Sequence, residues 1–470
     1  MIPFNLTIDG KPAITKTTFD VINPADESVV AACPQGNTQL VDAAIAAARR
    51  AFPKWSALPD ADRVTKLNAV ADLIEKHHKD LAELVTREQG KTQSGPGANL
   101  ELGGAAAWTR VTASLSLPDQ VIQDDKTGKI VAHRKPVGVV GSITPWNWPL
   151  LIAVWHVMPA IRVGCTVVIK PSPFTPLSTL RLVELMNQVL PPGVINAVTG
   201  GPDVGTHLAT HPGIDKIVFT GSVATGKKVM GNAAQTLKRL TLELGGNDAG
   251  IILPGTNIEP LLEKLFWGCF INAGQTCAAL KRLYVHEDQY EEVVRKFAEY
   301  CARIPVGNGL DPNNLIGPVA NRMQLDKVID YVDDARAQGA RIVLGGKKSA
   351  GPGYFYPLTV IADTTDEMRV VKEEQFGPVI PIVKYKTVEE AIARANALEV
   401  GLGGSIWGND VQEATRLAAR LECGTAWVNQ HGALHPMAPF GGVKSSGIGV
   451  EFNVDGLKEY TTLQVINVAL

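Results

Sequence analysis

KIVFTGSVATGKKVM, residues 216–230, sets an apolar run, a glycine-bearing turn and a basic, apolar-periodic continuation end to end. The run predicts a strand and the continuation predicts a helix, so the turn falls where free backbone amides and the helix dipole favour a phosphate. The stretch misses the P-loop pattern G-x-x-x-x-G-K-[ST] by one residue, because Lys228 stands where a magnesium-binding hydroxyl is needed. A nucleoside triphosphate therefore fits poorly. A turn serving only helix packing, and a turn receiving some other phosphate-bearing ligand, both stay open at this point.

Working outward, four more short apolar runs lie on either side: VGVVGSIT (137–144), CTVVIKP (165–171), VINAVTG (194–200) and LTLELGG (240–246). Helical patterns separate them, which predicts right-handed βαβ units and a mostly parallel, doubly wound sheet. Ligands on such a sheet bind beyond the carboxyl ends of the strands. Asn147, Lys170, Gly221, Ser222 and Glu243 all fall there. Ahead of this region, TQLVDAAIAAARRAFPKW and ADRVTKLNAVADLIEKHHKDLAELVTREQGK carry helical spacing. After about residue 250 the alternation resumes with KRLYVHE, ARIVLGG, PLTVIAD, PVIPIVKY and TAWVNQ, which predicts a second α/β unit.

The 470 residues exceed what one core organises, so two major domains and a small third element are expected. Basic and acidic residues number 45 and 47, leaving no field to attract nucleic acid or anionic lipid. The most apolar segment, PLLIAVWHVMPAIRVG, is broken by His156, Pro159 and Arg162 and predicts a buried helix rather than a membrane span. No secretory signal pattern is present at the N-terminus given, and the expected compartment is the cytoplasm. The six cysteines lack CxxC spacing, which argues against zinc and against a disulfide framework.

Cys277 lies in INAGQTCAALKRLYV, a loop of small and polar residues between a helix and a strand. A lone cysteine is commonly an inert small hydrophobe, the reading kept for Cys33, Cys165, Cys269, Cys301 and Cys423. Cys277 alone sits where a thiol could reach a cleft. Glu243 ends an otherwise apolar strand and precedes two glycines; a carboxylate there needs a partner or a task. Asn147, in PWNWPLL, is either part of a rigid aromatic corner or a donor aimed at a ligand. His431 and His435 stand four apart, but Gly432 and Pro436 make the segment a loop, so solvated histidines rather than a metal pair are expected.

Taken together, PWNWPLL, KPSPFTP, FTGSVATG, LELGG, GQTC, EEQFGPV and PFGGVKSSG run in one order along essentially the whole chain, which resembles the NAD(P)-dependent aldehyde dehydrogenase superfamily. The resemblance implies an α/β fold: a Rossmann-like doubly wound cofactor domain (1–115 and 137–245), an α/β catalytic domain (246–445), and a small β oligomerisation element (116–136 and 455–470). It implies that Cys277 is the nucleophile, Glu243 the general base and Asn147 an oxyanion donor, with a free acid as product because the carboxylate is present. Thr144, Trp146, Lys170, Ser172, Gly221, Ser222, Gly226, Leu244, Glu374 and Phe376 are similar to the cofactor contacts. NAD is the expected cofactor, with NADP possible, because Pro173 replaces a glutamate that many NAD-preferring members use at the adenosine ribose.

By the same resemblance, Trp148, Ile152, Trp155, Leu434 and Phe440 line the substrate tunnel, with His156, Gln430, His431 and His435 as polar contacts near its mouth. Medium-length aliphatic or aromatic aldehydes are expected, with small hydroxyaldehydes as the alternative substrates and a silent structural member as the alternative role. The hairpin 116–136 and the tail EYTTLQVINVAL imply a homodimer or homotetramer. GVEFNVDG lacks an arginine and a second glycine often found there.

Overall fold

The computed structural model describes residues 3–469; residues 1, 2 and 470, at the ends of two expected segments, lie outside the described residues. The five apolar runs form the centre of an eight-stranded sheet in the order Lys11–Ala13, Leu6–Ile8, Ile195–Ala197, Thr166–Lys170, Val139–Ile143, Lys216–Gly221, Arg239–Leu244 and Gly447–Ile448. The five central strands are mutually parallel. Strand order reverses between Val139–Ile143 and Lys216–Gly221, so a crevice opens beyond their carboxyl ends. Helices Thr38–Ser56, Pro149–Val163, Leu177–Met186 and Val223–Ala234 supply apolar faces to the core that embeds this sheet.

The second sheet has seven strands: Arg341–Leu344, Thr359–Thr364, Val379–Tyr385, Leu280–His286, Asp248–Ile252, Gly403–Trp407 and Thr425–Val428. Two of them, Asp248–Ile252 and Gly403–Trp407, have no counterpart among the expected strands. Both are short, buried throughout and begin with residues of low strand preference, DAG and GG, which hide the pattern. The long helical stretch before residue 91 is likewise two helices, Asp60–Lys76 and His78–Gln89, broken at His77.

The chain crosses from one sheet to the other in three residues, Gly245 to Asn247. Glu243 sits at the carboxyl edge of the first sheet, and Asp248 opens the second. Cys277 precedes the strand Leu280–His286 and Glu374 precedes Val379–Tyr385, so the second sheet presents its amino edge to the first sheet's carboxyl edge. The functional cleft lies along that seam. The hairpin Gln120–Asp125/Gly128–Pro136 takes the tail strand Thr461–Ala469 onto its open side, giving a separate three-stranded sheet.

Candidate active site

A cleft of about 500 Å³ follows the switch point, lined by Thr144, Trp146, Asn147, Lys170, Ser172, Pro173, Gly221, Ser222, Thr225, Glu243, Cys277, Glu374 and Phe376 among others. One strand–turn–helix unit builds its floor. Ser222 caps the helix Val223–Ala234, its hydroxyl accepting from Thr225 N at 3.3 Å. Gly226 faces Leu244 across the turn, and any side chain at 226 would strike that leucine. Lys227 and Lys228 are exposed, as expected of solvated first-turn charges.

Along the cleft, Lys170 is buried, and burial brings its ammonium down to about 8 against the pull of Asp203. The ammonium's only hydrogen bond among the described residues is to Pro171 O at 3.2 Å. The Thr144 hydroxyl is buried without a partner among the described residues. Trp146 and Phe376 meet edge to face at 5.3 Å. A long groove with a helix N-terminus midway, a buried ammonium in its wall and an orphaned hydroxyl fits a dinucleotide in size and in donor set. Pro173 stands exposed on the rim.

The loop carrying Cys277 is held by unusual backbone. Asn272 and Ala273 lie in the left-handed region (φ 52° and 55°), followed by Gly274 at φ 72°, where a Cβ would stand 2.1 Å from the Gly377 carbonyl oxygen. Consecutive left-handed residues cost energy unless surrounding bonds over-determine them. Here Gln275 supplies those bonds: its Nε2 donates to Asn272 O at 3.0 Å and its Oε1 accepts from Ala320 N at 2.8 Å. Asn147 closes the cage, its Nδ2 donating to Gln275 O at 3.0 Å. Trp148 Nε1 donates to Thr276 Oγ1, also at 3.0 Å. The aromatic corner and the oxyanion candidate are thus one structure.

Cys277 and Glu243 meet at the inner end of the cleft. Burial and the Glu243 carboxylate push the Cys277 thiol well above its ordinary range, while Lys281 pulls the other way. Burial, then Glu451 and Glu374, raise Glu243, and the neighbouring thiol is the group that hydrogen-bonds it downward. Glu243 Oε1 has no partner among the described residues. The thiol and the carboxyl are hydrogen-bonded neighbours, so a proton can pass between them.

Lys281 was invisible to sequence reasoning. It is buried, donates to the Cys277 carbonyl oxygen, and pairs with Glu374 at 3.1 Å. Burial raises the Glu374 carboxyl and Lys281 lowers it. Glu374 accepts from Gly246 N at 3.3 Å; a Cβ at Gly245 would stand 2.2 Å from its Oε2 and one at Gly246 2.6 Å from Asp248 Oδ1, which together explain the glycine pair after Glu243. A lysine set in the apolar run CAALKRLYV was the available signal.

On the far side of Cys277 an apolar cluster gathers Trp148, Ile152, Trp155 and Phe440 with Leu434 packed against it, bringing together all five expected tunnel residues. Trp427, Leu402, Ala278, Phe452 and Trp108 join them. The expected histidines do not. His156 is fully buried, with Nδ1 3.0 Å from Ser142 Oγ and Nε2 2.9 Å from Thr220 Oγ1. His431 is also buried rather than solvated, bonded to Ser405 and 3.4 Å from Asp248. The loop predicted to be open folds back into the core at His431, while His435 and Gln430 stay exposed.

A dinucleotide-sized groove that holds a thiol and a carboxylate, with a packed apolar cluster against the thiol, matches a class: oxidoreductases that work through a covalent cysteine adduct. The aldehyde dehydrogenase family model matches residues 12–466, and the chain belongs to that family of NAD(P)+-dependent oxidoreductases. It is 38% identical to human retinaldehyde dehydrogenase 3, covering 96% of this chain and 90% of that one. Betaine aldehyde dehydrogenase from Staphylococcus aureus, solved with NAD+, superposes with a TM-score of 0.96 at 36% identity over 99% of this chain and 95% of that one. An NAD+ complex of aldehyde dehydrogenase from Bacillus cereus gives 0.97 at 35%, covering 99% and 96%.

Proposed function

We propose that the protein oxidises medium-length aliphatic or aromatic aldehydes to free carboxylic acids, with NAD as preferred cofactor and some use of NADP. The observation that carries this reading is the meeting of Cys277 and Glu243 at the seam between a dinucleotide-sized groove and an apolar, tryptophan-rich cluster packed against the thiol. Relatives of similar identity bear names that specify unlike aldehydes, so the residues of that cluster rather than the fold set the substrate.

Cys277 releases its proton to the solvent of the cleft, and the thiolate Sγ adds to the aldehyde carbon. The carbonyl oxygen becomes an alkoxide, received by Asn147 Nδ2 and the Cys277 backbone N–H. The side-chain amide spends one N–H on Gln275 O and keeps its second for the alkoxide. When bound, the nicotinamide supplies the acceptor for the hydride that leaves this carbon, and Thr144, Trp146, Lys170, Ser172, Gly221, Ser222, Gly226, Leu244, Glu374 and Phe376 would hold the dinucleotide. Glu243 then accepts a proton from water as its oxygen attacks the thioester; the acid departs and Cys277 takes up a proton again.

The six free cysteines suit a reducing, cytoplasmic setting. Exposed Val121, Ile122, Leu463 and Val465 on the three-stranded sheet support assembly into a dimer or tetramer. The deciding experiment measures NADH formation across an aldehyde panel for the wild type and Cys277→Ala. Activity that survives the substitution overturns the mechanism; a wild type silent across the panel overturns the function.

A further inference from the structure

A second buried ion pair lies behind the oxyanion candidate and takes no part in the chemistry above. Lys91 and Glu101 are almost fully buried and 2.6 Å apart. The ammonium uses all three of its donors: one to Glu101, one to the Asn147 carbonyl oxygen at 2.7 Å, and one over the face of Trp148, 3.5 Å from the ring centroid. Glu101 is equally committed. Its other oxygen accepts from Leu150 N at 2.8 Å and Leu151 N at 3.1 Å. These amides open the helix Pro149–Val163, whose N-cap residue, Trp148, offers no side-chain cap. The carboxylate does the capping from another helix, Ala98–Ser114.

Two donors therefore fix the Asn147 carbonyl, Lys91 Nζ and Asn272 Nδ2, the second at 2.9 Å. One of them is a full charge. Fixing that carbonyl and the helix start on either side leaves the Asn147–Trp148 peptide no freedom to rotate. A cheaper core would have used apolar residues here, since burying an ion pair gains little stability over well-packed hydrophobes. What the pair secures is direction.

We propose that Lys91 and Glu101 are positioning residues for the oxyanion site, locking the Asn147 backbone so that its amide faces the alkoxide formed on Cys277. This rests on the reading of Asn147 as an oxyanion donor. The expected signature is a loss in the rate of hydride transfer, not in binding.

The test follows single-turnover NADH formation with hexanal and with benzaldehyde for the wild type, Lys91→Met, Asn147→Ala and the two combined. Lys91→Met/Glu101→Gln serves as a second route that leaves no unpaired charge should Lys91→Met fold poorly. Either Lys91 variant is expected to slow hydride transfer by about tenfold or more, with KM for NAD changed by less than about twofold. In the Asn147→Ala background the same change is expected to cost less than about twofold further, because the group being positioned is gone. A loss of equal factor in both backgrounds, or no loss in the first, overturns the proposal. Hydride transfer unaffected by Asn147→Ala alone refutes the oxyanion reading itself, whatever Lys91 does.

Discussion

Glu243→Gln keeps the shape of the side chain and removes only its ability to ionise, so it separates two consequences of one buried carboxyl. Burial and two neighbouring carboxylates raise the folded-state pKa of Glu243 well above the ordinary 4.5. Between 4.5 and the raised value the folded wild type keeps a proton that the unfolded chain has lost. Stability therefore falls as pH rises through that window, by about 1.4 kcal/mol per pH unit. The Gln variant has no such slope. An unfolding entropy of roughly 2.1 cal/mol/K per residue over 470 residues is about 1 kcal/mol/K. The Tm advantage of the variant should thus vanish near pH 4.5 and grow by roughly 1 to 1.5 °C per pH unit above it. Kinetically, loss of a general base should slow thioester hydrolysis by roughly 10² to 10⁴. A rapid burst of NADH, one per site, should precede the slow steady state. Paired melting curves from pH 4.5 to 7 and stopped-flow NADH formation read both effects. A Tm difference flat in pH refutes the raised carboxyl, and a variant without a burst shows that Glu243 acts before hydride transfer rather than after it.

Two further outcomes follow from the rim and the tail. Pro173→Glu places a carboxylate where a 2′-phosphate would lie, and should move the ratio of kcat/KM for NAD over NADP upward by about tenfold; an unchanged ratio refutes a role for this position in cofactor choice. Leu463 and Val465 are 62% and 56% exposed on the tail strand, and Leu463→Asp/Val465→Asp should shift the protein to a smaller species in light scattering while leaving its circular dichroism unchanged. A wild type already monomeric, or an unshifted variant, refutes assembly through this sheet.

The first sheet was legible because buried parallel strands are continuous apolar runs, and each of the five ends on a turn. VVIK and KIVFTG carry no other credible reading. The second was half hidden for the same reason in reverse. DAGII and GGSIW are buried at every residue, yet their glycines exist to let other groups approach: a Cβ at Gly403 would stand 2.3 Å from Asp248 Oδ2. Local preference was overruled by packing that only the folded chain defines. The departure in GVEFNVDG has a similar account. Phe452 and Asn453 both take positive φ, 69° and 52°, which a glycine would adopt without strain. Phe452 instead fills the aromatic cluster, stacked 5.9 Å from Phe440.

At the site, the candidate groups that the fold brings together were legible and their supports were not, and the difference is physical. Cys277, Glu243 and Asn147 each sit in a short contiguous motif, because the strand ends and tight turns that bring them to one cleft are local features. Lys91, Glu101, Gln275 and Lys281 act across 56, 49, 45 and 93 residues of chain on Asn147, Leu150, Ala320 and Glu374. Nothing local marks them except charge or amide in an apolar setting, a signal shared with any surface residue at a helix end. Burial turns that weak signal into a strong constraint. A lysine in water is free to be replaced, whereas Lys91 and Lys281 are each tied to a carboxylate and a backbone carbonyl beside the reacting residues. Their removal would leave a buried carboxylate unpaired at the point where Asn147 and Cys277 must hold their aim.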